Sequence, residues 1–158
     1  EVMHGHSHHQ VLTKGRLLLM DAGAELPRHY CSDFTRTIPL SGEFTGIQKD
    51  LYNLVLDANN HCIDMCAPGV SYKDVHLASA HIITDGLKQL GLMKGDTAEA
   101  VASGAHAAFW PTGLGHNMGL DVHDMEDLGE QFVGYDHTVS RIPQFGLTSL
   151  RMARVLEP

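Results

Sequence analysis

Apolar residues first concentrate in RLLLMD, Arg16–Asp21, directly behind Lys14-Gly15. A run this short, entered through glycine, predicts a buried strand rather than a helix, and it leaves Asp21 at the strand end. After a turn-rich stretch from Ala22 to Ser32, residues 33–38 alternate with period two. Phe34, Arg36 and Ile38 share one face and Asp33, Thr35 and Thr37 the other. The two segments read as neighbouring strands of a hairpin, each carrying an aspartate. The period then changes. Thr45-Gly46-Ile47-Gln48 is a capping-box pattern, and Ile47, Leu51, Leu54, Ala58, Cys62 and Met65 recur at helical spacing until Pro68-Gly69. A second helix is predicted from Ser71–Asp74 onward, with Val75, Ala78, Ile82 and Leu90 on a stripe closed by Gly91. Asp96 caps a short third helix through Ser103. Residues 109–124, FWPTGLGHNMGLDVHD, hold Pro111, Gly113, Gly115 and Gly119 and are expected to end in a strand over Gly119–His123. Strands, long helices and a returning strand predict a mixed α+β fold.

Composition narrows the function classes. Nineteen acidic residues against eleven Lys and Arg give a charge of −8 over 158 residues, which excludes a phosphate-backbone partner and hence nucleic acid. Apolar residues make up 43% of the chain, enough for one core, so a single domain is expected. The three cysteines form no even framework and point to a reducing, cytoplasmic setting. No apolar run approaches membrane-span length and no signal peptide is apparent, so no membrane partner is expected. The chain begins at Glu1 and ends at Leu156-Glu157-Pro158 in a way that reads as a piece of something longer.

Asp21, Asp33, His116 and His123 stand at or near strand ends. Carboxylates with imidazole are a ligand set for Mn, Fe, Co or Zn rather than for a thiolate-selected metal. Turn caps and a satisfied buried histidine are the plainer alternative. His4, His6, His8 and His9 form a tract that could bind a transition metal or simply make a polar strand face. Cys62 and Cys66, four apart on one helix face, read as packing, as do Trp110 and Phe109. His76, His81, His106 and His137 show no partner pattern.

DAGAE at Asp21, SDFTRTIP at Ser32 and GLGHNMGLDVHD at Gly113 together resemble the motifs of the M24 metallopeptidases, the pita-bread family that includes aminopeptidase P and prolidase. The GLDVHD ending is similar to the members that cleave Xaa-Pro bonds. The resemblance implies a pita-bread α+β catalytic domain over residues 1–158, incomplete at its C-terminus and without a separate N-terminal domain. It implies Asp21, Asp33 and His116 as ligands of two divalent ions, most simply Mn, with Co, Zn or Fe as alternatives. It also implies His123 and His4 as the imidazoles aimed at the substrate or its tetrahedral intermediate. The expected partner is a peptide with proline at its second position, and the assembly a possible homodimer.

Two departures qualify that expectation. The family usually has a histidine where this chain has Thr112, so a substrate-side role there is reduced to a hydroxyl. The family also completes its site with two glutamates beyond an L-E-P-G stretch, and Glu157 matches the glutamate of that stretch, not a ligand. The protein is therefore expected to hydrolyse Xaa-Pro bonds, as aminopeptidase or dipeptidase, while these 158 residues alone are weak or inactive. The alternatives are a non-catalytic pita-bread module that binds peptide or protein, and a histidine-rich metal buffer.

Overall fold

The computed structural model describes residue 9 and residues 11–158. Strands β1 (Leu17–Ala22) and β2 (Phe34–Pro39) form a two-stranded antiparallel sheet. Leu17 pairs with Pro39, Asp21 with Thr35 and Ala22 with Phe34. The hairpin expected from the alternation is present, with both aspartates at the end where the connecting segment 23–33 joins its strands. Its burial is not as expected. Only Leu18 of β1 is half-buried, while Leu19 and Phe34 are exposed, because among the described residues no layer covers this part of the sheet.

Helix α1 spans Gly46–Met65, and its capping box is formed: the Thr45 backbone N–H donates to Gln48 Oε1 at 3.0 Å. Helix α2 spans Tyr72–Gln89. Its N-cap, Ser71, turns its hydroxyl away from the helix and donates to the Ala153 carbonyl at 3.2 Å, tying the helix start to the far end of the chain. The bridge between Ser71 and Val155 strengthens that tie. Helix α3, Thr97–Ala102, is capped by Asp96, whose carboxylate accepts the Glu99 N–H at 2.9 Å. All three helices lie where the periodicity puts them.

The core lies between α1 and α2. Ala58, Ile83 and Leu87 are buried there, flanked by Leu51, Leu54, Ile82, Met93 and Trp110. Trp110 is thus a packing residue, as expected, and Cys62 is buried while Cys66 is exposed. A second cluster, Tyr135, Leu150 and Ala153, anchors the C-terminal part, with the Tyr135 hydroxyl bonded to the Leu150 carbonyl at 2.5 Å. Between the clusters run 3-10 turns at Ala105–Ala108 and Glu126–Leu128 and a one-turn helix α4, Glu130–Val133.

The strand expected over Gly119–His123 does not form. The chain folds back on itself instead: the Gly119 N–H bonds to the Asp121 carbonyl and the Asp124 N–H to the Asn117 carbonyl, each at 3.1 Å. The Asp124 carboxylate accepts the Asp121 N–H, also at 3.1 Å. An Asp side chain that bonds its own neighbourhood offers the backbone an alternative to a sheet ladder. Glycine at 119 permits this closure, since a Cβ there would stand 2.7 Å from the Asp124 carboxylate.

Candidate active site

The hairpin and the folded-back loop meet at a cleft of about 560 Å³, whose lining includes Asp21, Asp33, Val122 and His123, together with Glu25 and Cys31 of the intervening turn. Asp21 enters from the end of β1. Its Oδ1 accepts a hydrogen bond from Thr35 Oγ1 at 2.7 Å, across the registered pair of β1 and β2. Asp33 stands just before β2, held by the turn that joins Cys31 N–H to the Gly119 carbonyl at 2.8 Å and Ser32 N–H to the Ala24 carbonyl at 2.9 Å. The first of these bonds docks the hairpin onto the loop that carries the histidines.

His116 lies 3.2 Å from Asp33, Nε2 to Oδ2, although 83 positions separate them in the chain. Its other nitrogen, Nδ1, is 2.9 Å from the Asn117 carbonyl. A carbonyl can only accept, so Nδ1 must carry a proton. In a neutral ring, Nε2 then presents a lone pair to a carboxylate oxygen. Two acceptors in contact require a proton or a cation between them, and a ligating histidine commonly has its second nitrogen bonded to a backbone carbonyl in this way. The donor chemistry, carboxylate oxygen with imidazole nitrogen, therefore suits a divalent ion. Among the described residues no group of three or more His, Cys, Asp or Glu side chains is close enough to hold an ion as the side chains stand. Asp21 lines the same cleft. Cys31 does not offer a thiolate: burial first, then the carboxylates of Glu25, Asp121 and Asp124, push its thiol up.

His123 packs edge-on against His116, with ring centroids 4.4 Å apart. Arg151 Nη1 lies 2.8 Å from its Nδ1 and 2.7 Å from its Nε2. Glu126 stands beside both, its Oε2 3.4 Å from Arg151 Nη1 and 3.8 Å from His123 Nδ1. Of the residues singled out in the sequence, Asp21, Asp33, His116 and His123 converge. Thr112, four residues before His116, is half-buried and is not among the described residues that line the cleft. His4 lies outside the described residues, as do His6 and His8. His9 is exposed. Sequence reasoning misses Arg151 and Glu126, and the one usable signal for them is Glu126 standing three residues after His123.

The architecture is closely shared with solved structures. Escherichia coli aminopeptidase P, zinc-substituted and in complex with product, matches 99% of this chain with a TM-score of 0.80 at 34% identity, and the chain covers 31% of it. Proline aminopeptidase P II from Yersinia pestis gives the same TM-score and coverage at 36% identity. These likenesses define the fold as pita-bread α+β. The chain belongs to metallopeptidase family M24, which it matches over residues 1–144. Among curated relatives, a probable Xaa-Pro aminopeptidase of Chaetomium globosum is 42% identical over 78% of this chain, and one of Fusarium vanettenii 47% identical over 70%. The chain spans 20% and 24% of the lengths of those two relatives.

Proposed function

We propose that this protein takes part in metal-dependent hydrolysis of the bond between an N-terminal residue and proline, with Asp21, Asp33 and His116 as the ligands that this chain contributes. The observation that carries the reading is the Asp33–His116 contact, in which two acceptors face each other and the second histidine nitrogen is tied to a backbone carbonyl. The relatives' names and the cleft around the same residues support it. Residues 1–158 are read as part of one catalytic domain. Two ions are proposed, and manganese is favoured because two of the three ligands are hard carboxylates. Divalent ions held there would supply Lewis-acid chemistry for attack of water on a peptide carbonyl.

The protein's own groups do the rest. Thr35 holds one oxygen of Asp21 and so limits its rotation. Asn117 holds His116 in the tautomer whose Nε2 faces Asp33. His123, at the cleft wall, donates a hydrogen bond to the developing oxyanion, a role shared with His4. The Thr112 hydroxyl is read as a substrate contact. Free Cys31, Cys62 and Cys66 fit the reducing interior of a cell, and the cytoplasm is the proposed compartment.

The test uses the full-length protein. About two manganese ions per chain and release of the first residue from an Xaa-Pro peptide are expected. Asp33→Ala should lower metal affinity by more than the roughly 10–100-fold that loss of a supporting partner costs. A full-length protein that takes up no metal and cleaves nothing would replace the enzyme with a peptide-binding module. Metal content unchanged in Asp21→Ala and Asp33→Ala would assign binding to the histidine tract.

A further inference from the structure

The segment from Pro111 to His116 carries the histidine that faces Asp33, and little holds it. Among the described residues none of its backbone groups bonds to another backbone group. A loop whose N–H and C=O groups find no backbone partner stays in place only where side chains or close packing hold it. One side chain does so here: Ser149 Oγ donates to the Pro111 carbonyl at 2.7 Å. Two close approaches add to the hold. A Cβ on Gly113 would stand 2.4 Å from the Ser149 carbonyl oxygen, and one on Gly115 would stand 2.5 Å from the Tyr72 hydroxyl. Ser149 is itself a firm post. Its neighbour Leu150 is 1% exposed, and further along the Ala153 N–H bonds to the Gly134 carbonyl at 2.7 Å and the Tyr72 N–H to the Arg154 carbonyl at 3.0 Å.

His116 therefore stands at a junction. After it, the folded-back loop is docked on the hairpin through the Cys31–Gly119 bond and brings the Asn117 carbonyl to the ring. Before it, the Ser149 hydroxyl joins the chain to the segment that closes on the start of α2. Asp33 belongs to the hairpin side, so its separation of 3.2 Å from His116 Nε2 depends on both holds. We propose that Ser149 is a positioning residue for His116: its hydrogen bond to the Pro111 carbonyl fixes residues 111–116 and keeps the imidazole where it and Asp33 can take one ion together. Ser149 is not among the described residues that line the cleft and acts through the loop. Its bearing on an ion rests on the reading of His116 as a ligand, whereas the hold on the loop does not.

Two readouts separate the two. Manganese(II) is titrated into metal-free full-length protein, and the free ion is followed by electron paramagnetic resonance. Ser149→Ala and Ser149→Val, which lack the hydroxyl, should each weaken manganese binding about tenfold, the low end of what loss of a partner outside the ligand set costs. Ser149→Thr matches valine in bulk and keeps the hydroxyl, so it should restore most of the affinity. The thermal midpoints of the metal-free forms should differ little. Unchanged affinity in Ser149→Ala overturns the proposal. So does an equal loss in Ser149→Thr and Ser149→Val, or a loss that merely tracks a lowered midpoint. The second readout needs no metal: chymotrypsin cleavage after Leu114, mapped by mass spectrometry, should be several-fold faster in Ser149→Ala, with cleavage within α1 and α2 unaltered. If the unmodified protein takes up no manganese, the ligand reading fails, and cleavage at Leu114 alone decides: an unchanged rate then overturns the hold.

Discussion

Two histidines outside the cleft are as telling as those inside it. His76 and His106 are both fully buried and share Trp110, whose ring lies 4.8 Å from the first and 6.3 Å from the second. His76 Nε2 meets the Gly146 carbonyl at 2.9 Å, and Gly146, at φ +89, lays its bare α-carbon against the His106 ring. Burial pushes His76 down to about 4, with His106 adding to the effect, and burial likewise lowers His106, helped by His81. No carboxylate is among the charges that shift them. Both rings are therefore held neutral, and unfolding raises His76 from about 4 to an ordinary 6.5. The unfolded chain binds the extra proton between those values, so stability rises with pH across that window. His76 contributes in full above about pH 6.5 and loses its contribution as pH falls to about 4, roughly 3 kcal/mol in all. Denaturant midpoints measured from pH 7 to 4 should fall accordingly, and the fall should be shallower in His76→Phe. The sequence alone shows these two histidines without a partner, because what makes them special is a glycine forty positions from one and seventy from the other.

At the scale of elements, legibility followed periodicity. The two strands and three helices announce themselves through alternation, capping residues and terminal glycines, and each lies within a residue or two of its expected place. The failure at Gly119–His123 is equally physical: three hydrogen bonds within residues 117–124 satisfy the loop's polar groups at short range, and strand-like spacing cannot outweigh them. The cleft was legible only in part. Motifs identified Asp21, Asp33, His116 and His123, but the contact between Asp33 and His116 and the approach of Arg151 are products of tertiary folding that no spacing encodes. Gly86 illustrates what packing adds to pattern. It lies inside α2, where alanine would gain about 1 kcal/mol of helix propensity. Yet a Cβ there would stand 2.2 Å from Leu54 Cδ1 of α1. Overpacking of that kind costs about 1–3 kcal/mol. Gly86→Ala should therefore lower stability by about 1 kcal/mol net, read as a reduced denaturant midpoint at unchanged slope. A gain in stability would mean that α1 and α2 are free to move apart.

For the whole molecule, the arrangement divides into a well-anchored helical half and a sparsely covered sheet. Long-range ties gather at one end, where Ser71 and Val70 bond to the segment around Ala153 to Leu156 and the Leu156 N–H reaches the Val70 carbonyl at 2.8 Å. The cleft sits between this half and the hairpin, so its geometry depends on how firmly the hairpin is held. Cys31 supplies one such hold through its backbone bond to Gly119, and its Sγ lies 3.3 Å from the Leu120 carbonyl. The hairpin itself has two strands and hence two edges whose amides and carbonyls are unpaired within the described sheet. It also displays Leu19 at 61% and Phe34 at 60% exposure. Such a ribbon recruits further strands. As an isolated 158-residue polypeptide it should therefore be poorly colloidal, its light scattering climbing with concentration, and Leu19→Lys with Phe34→Lys should suppress the climb while leaving the helical circular dichroism intact. Seen this way, the β1–β2 pair is a nucleation template whose solubility is a property of whatever strand it is given to pair with.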